Sequence, residues 1–91
     1  MNPLDDHIHR ALVDRLIELY CDWRTECWQV RATYDRACDA PASDSAVAFA
    51  AYAAALDREQ SACDAYAAQV RLVQSLFVEA ETREPAGDPA P

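Results

Sequence analysis

DAPASDS, residues 39–45, is the internal break in an otherwise helix-favouring chain, and its reading decides the fold. Pro41 disfavours a helical conformation at Ala40. Ser43 or Ser45 can cap a following helix, with Asp44 in its first turn. Upstream, apolar residues recur at alternating spacings of three and four: Val13, Leu16, Tyr20, Trp23, Cys27, Val30, Tyr34 and Ala37. Downstream the same rhythm resumes at Phe49, Tyr52, Leu56, Glu59, Cys63, Tyr66, Val70, Val73, Phe77 and Ala80. Each series is a heptad-type seam, the signature of a long helix packed along one side.

The outer limits follow from end signals. Asn2 can cap, Pro3 suits a first helical position, and Asp5 and Asp6 complement the helix dipole. The expected elements are a helix over 3–39, a loop over 40–43 and a helix over 44–83, with EPAGDPAP at 84–91 as a disordered tail. Each helix should run about 55–60 Å at 1.5 Å per residue. A short loop between long helices makes an antiparallel hairpin. Apolar layers coincide when facing residue numbers add to about 86, giving Tyr34/Tyr52, Val30/Leu56 and Tyr20/Tyr66; a register about half a turn shorter remains open.

The apolar surface exceeds one seam. Leu12, Leu16, Leu19 and Trp28 on the first helix, and Leu72 and Leu76 on the second, are the expected contact of a homodimer closing a four-helix bundle. The expected fold class is therefore all-α: a coiled-coil-like hairpin, dimerised. Alanines such as those of AVAFAAYAAAL would let another helix approach closely.

Composition agrees. The chain has 91 residues, is 52% hydrophobic and holds a single glycine, which favours one small helical domain. All eight basic residues are arginine, and the net charge is −8. The residue usage suits a GC-rich genome such as that of an actinobacterium or its phage. Strong acidity disfavours nucleic acid and anionic membranes as partners, both of which demand cationic patches; a basic or helical protein is the better candidate. MNPLDDHIHR lacks the apolar core of a secretory signal, and no apolar run is long enough to span a bilayer, so the expected compartment is the cytoplasm with reduced cysteines.

Chemistry-bearing residues are sparse. Cys21, Cys27 and Cys38 are spread along one helix by about 9 and 16 Å of rise, too far apart to share a zinc ion, and no Cys-x-x-Cys occurs. Cys27 and Cys63 fall on the seams as small hydrophobes. Cys21 and Cys63 are a candidate disulfide in the shorter register, and Cys38 near the loop is the candidate reactive thiol. Glu59 interrupts the second seam; a buried carboxylate needs a partner, and Arg24 and Arg31 are the nearest candidates for a polar seam that sets register. Asp14, Glu18, Asp22 and Glu26 form an acidic ladder along one side, read as a solvated face or a dock for a basic partner. The histidines, His7 and His9, make no Glu-x-x-His pair, and the one glycine cannot build a phosphate loop. No catalytic, cofactor or metal residues are expected.

The hairpin resembles the WXG100 class of small secreted actinobacterial proteins, helical hairpins of similar length that associate as dimers. Phe77 and Glu81 stand in the relation of that family's Tyr-x-x-x-Asp/Glu motif, with phenylalanine for tyrosine, whereas the turn here has neither the family's tryptophan nor its glycine. The resemblance implies fold and self-association. The expected function is a non-catalytic, homodimeric helical interaction or adaptor protein, ahead of a ligand-, metal- or thiol-redox-binding helical bundle, and ahead of a WXG100-like secreted hairpin.

Overall fold

The computed structural model describes residues 3–83, with side chains described for residues 5–79. The chain is all-helical there. Helix α1 spans Pro3–Asp39 and helix α2 spans Ser45–Arg83. Asp5 and Asp6 in the first turn of α1 and Arg36 in its last turn each complement the helix dipole. The expected tail at 84–91 and the Asn2 cap lie outside the described residues.

Between the helices, Pro41 is extended (φ −65°, ψ 159°) and leads into a 3-10 turn, Ala42–Asp44. The turn is closed by backbone: Asp44 N–H donates to the Pro41 carbonyl at 2.9 Å. Neither Ser43 nor Ser45 makes the expected capping bond. The tight 3-10 turn supplies the reversal and lets α2 start directly from it.

The helices pack antiparallel along their length. Tyr34 meets Tyr52, and Tyr20 meets Tyr66, each with ring centroids 5.5 Å apart. These pairs select the longer of the two open registers. The phase of the seam differs from expectation on both helices. Leu16, Trp23, Val30 and Ala37 are half-buried, and so are Tyr52, Glu59 and Tyr66, with Val73 buried. The alternate positions, however, fall one residue earlier than expected. Leu19, Glu26 and Thr33 face α2, while Tyr20 and Tyr34 are exposed. Ala48, Ala55, Ala62, Gln69 and Leu76 face α1, while Phe49, Leu56 and Phe77 are exposed.

Size explains this roll. The space between two helix axes 8–10 Å apart admits alanine and threonine readily and a pair of aromatic rings poorly. Ala55 is 0% exposed and Thr33 is 6% exposed. Thr33 satisfies its hydroxyl on its own helix, donating toward the Gln29 and Val30 carbonyls at 2.7 and 3.0 Å. The rings are displaced to one side, where they pack over the seam.

A single layer of two helices leaves little interior. The radius of gyration is 21.0 Å, against about 12 Å for a compact chain of this length. Among the described residues, no large side chain is fully buried. Accessible surface is 6795 Å², about 1,500 Å² more than the roughly 5,300 Å² of a compact monomer of this mass.

Candidate functional site

The roll of the helices gives the layer two unlike broad faces. Positions one residue past the seam all project to one of them: Val13, Tyr20, Cys27 and Tyr34 from α1, and Phe49, Leu56, Cys63, Val70 and Phe77 from α2. In antiparallel neighbours these equivalent positions lie side by side. None of them is charged, so the face is apolar from end to end.

Aromatic rings organise it into two clusters. Near its centre, Trp23 stacks on Tyr66 with centroids 5.6 Å apart and planes 12° from parallel, and Tyr20 packs edge-on against Trp23 at 6.1 Å. Near the loop, Tyr52 sits between Tyr34 and Phe49, with centroids 5.5 and 6.1 Å away. Tyr20 and Tyr34 are about 21 Å apart along α1. The smaller Cys27, Cys63 and Leu56 lie between the clusters. Contacts of this geometry contribute about 0.5–1.5 kcal/mol each beyond area burial, yet Phe49 remains 61% exposed and Tyr34 52% exposed.

Glu59 is the polar residue beneath this face. Its partner corrects the expectation: the Trp23 indole N–H donates to Glu59 Oε2 at 2.7 Å, and neither Arg24 nor Arg31 reaches it. Both arginines are exposed on the outer flank of α1, where Arg31 lies 6.0 Å from the Trp28 ring centre. An indole donor satisfies the carboxylate without burying a second charge, avoiding the larger desolvation cost of an ion pair.

The opposite face is polar. Asp22, Thr25, Glu26, Asp57, Arg58 and Ser61 line an open groove of ≈ 510 Å³. Arg58 Nε pairs with Glu26 Oε2 across the hairpin at 3.3 Å, and Arg15 pairs with Glu18 at 3.0 Å on the same helix. Two members of the acidic ladder, Glu18 and Glu26, are therefore neutralised locally. Gln69 adds a third link between the helices, donating to the Leu12 carbonyl at 3.0 Å.

The expected dimer contact does not form one surface. Leu12, Leu16, Leu19 and Leu76 are half-buried within the hairpin itself. Trp28, 62% exposed, and Leu72 lie on opposite flanks. The residues missed as a surface are Tyr34, Phe49, Leu56 and Phe77, which sequence reasoning had assigned to the seam. The cysteines also separate. All four are free thiols, and the register sets Cys21, which is exposed, level with about residue 65 rather than with Cys63, which is half-buried; the candidate disulfide is absent. Cys38 is exposed beside Tyr34, one turn earlier. A hydrogen bond between the Tyr34 phenol and the Cys38 side chain, reinforced by electrostatic repulsion from Cys38, holds the phenol above its ordinary value of 10.0.

Among the described residues, no group of three or more His, Cys, Asp or Glu side chains is placed to hold a metal ion. No helix there is long and apolar enough to cross a membrane. The arrangement offers an extended apolar contact surface backed by a register-setting polar bond. No protein-family model, curated protein or solved structure matches the chain, so the site's chemistry is read from its own residues alone.

Proposed function

We propose that the protein is a non-catalytic helical interaction module that works as a homodimer, two hairpins closing a four-helix bundle over their aromatic faces. The observation that carries this reading is the uncharged face running from Val13 and Phe77 to Tyr34 and Phe49 on a hairpin with almost no interior of its own. Exposed apolar patches on monomers are rarely larger than a few hundred Å². The polar face, with its acidic groups, stays in water and keeps the assembly soluble or receives a basic partner.

Sedimentation equilibrium and circular dichroism across a dilution series test the reading. A dimer at micromolar concentration is expected, with helicity and mass lost together on dilution. A helical monomer at that concentration overturns it.

A further inference from the structure

Beside the aromatic face, α1 carries a small cationic recess. Arg24 precedes Cys27 and Trp28 by three and four residues, and Arg31 follows them by four and three. Side chains at those spacings are neighbours on a helix surface. Together the four line a cavity of ≈ 130 Å³. Arg15 and Arg58 pair with Glu18 and Glu26, whereas Arg24 and Arg31 have no acidic partner among the described residues. Asp35, one turn beyond Arg31, makes no pair with it. The Arg31 guanidinium lies 6.0 Å from the Trp28 ring centre, within reach of a cation–π contact that restrains both side chains beside the cavity.

We propose that this cavity binds a phosphate group. The backbones of Arg24 and Arg31 are about 10.5 Å apart along the helix, yet both side chains border one recess, so an anion held there meets a guanidinium from either end. The planar fork of each guanidinium matches phosphate oxygens with paired, charge-assisted hydrogen bonds. A phosphate monoester carries about −1.5 to −2 charges near pH 7, which two guanidiniums balance; a single carboxylate would leave one of them unmatched. Trp28 walls the recess with an exposed indole, against which a planar group on the phosphate can stack. The net charge of −8 repels anions at long range, so the site works by direct contact, and affinity in the millimolar range is expected. The site lies to the side of the ring clusters and does not depend on the homodimer.

The chain's two tryptophans provide the readout and its control. Trp28 lines the cavity, whereas the Trp23 indole N–H is bonded to Glu59. The full chain is titrated at constant ionic strength with inorganic phosphate and, separately, with phenyl phosphate, while the two indole N–H resonances are followed. A saturable shift of Trp28 without one of Trp23 is expected. Tighter binding of phenyl phosphate assigns the site to a monoester, and equal or weaker binding assigns it to the free ion. Arg24→Gln and Arg31→Gln, both at exposed positions where the hairpin tolerates the change, are each expected to weaken binding about tenfold or more. Arg71→Gln, which removes an exposed arginine from α2 outside the site, is expected to leave it unchanged. The proposal is overturned if Trp28 shows no saturable shift at millimolar concentrations of either probe, or if Arg71→Gln weakens binding as much as Arg24→Gln and Arg31→Gln do.

Discussion

The two broad faces of the hairpin are built from the same two helices and differ in almost every property. On one, Tyr20, Trp23 and Tyr66 near the centre and Tyr34, Tyr52 and Phe49 near the loop form ring clusters with no charge among them. On the other, Glu26 pairs with Arg58 above a groove lined by Asp22, Thr25, Asp57 and Ser61. The polar face pairs Glu26 with Arg58 across the hairpin and leaves its other polar groups to water. The aromatic face stays partly exposed, because two helices in one layer cannot enclose rings of that size. The contrast teaches that a single layer of two helices leaves one face without an interior to pack into, and that this face is the one to test.

The largest expected effect breaks the contrast directly. Leu56→Asp puts a charge in the middle of the aromatic face and is expected to weaken the dimer by about 3–5 kcal/mol, the cost of burying an unpaired charge. Leu72→Asp, on an exposed part of α2 away from that face, is expected to change stability by less than about 0.5 kcal/mol. Urea unfolding at fixed protein concentration measures both, and equal effects would remove the distinction between the faces.

A smaller effect probes the bond beneath the face. Trp23→Phe keeps the stacked ring but leaves the half-buried Glu59 without its donor, an expected loss of about 1–3 kcal/mol. Trp23→Phe combined with Glu59→Leu should recover much of that loss, because an apolar pair asks for no hydrogen bond. No recovery in the double variant would show that the ring itself, not the bond, carries the effect.

The smallest effect lies near the loop. The Tyr34 phenol is held above 10.0 by its hydrogen bond to Cys38. A raised folded value means that this contribution to stability is fully present below about pH 10 and is lost as pH rises through the folded value. Cys38→Ala should bring the Tyr34 titration, followed by its ring carbon resonances, back toward 10.0. An unchanged titration would remove Cys38 as the cause.

How much of this was legible before the structure differs by element. The two helices announce themselves through seams of spacing three and four, and Pro41 marks the reversal. Glu59 stood out as a polar residue in an apolar series, although its partner proved to be an indole rather than a guanidinium. The aromatic face was hidden in plain view. Tyr20, Tyr34, Phe49, Leu56 and Phe77 fit a seam as well as Leu19, Thr33, Ala48, Ala55 and Leu76 do, because heptad spacing is the same for two adjacent stripes. Hydrophobicity favoured the rings, whereas packing at the helix–helix contact favoured the small residues. A signal was present in the alanines at 48, 55 and 62, which recur at heptad spacing; read as a close-approach stripe for α1, they would have turned α2 the right way.

By itself, the sequence determined that this chain is helical, where it turns back and that its helices carry more apolar surface than one contact consumes. Those properties are local: they depend on propensity, periodicity and a proline. The tertiary structure alone decided which stripe of each helix met the other, which partner Glu59 took and which face was left open. Those choices depend on the volumes of side chains from two distant segments meeting at one place, a quantity no single stretch of sequence contains.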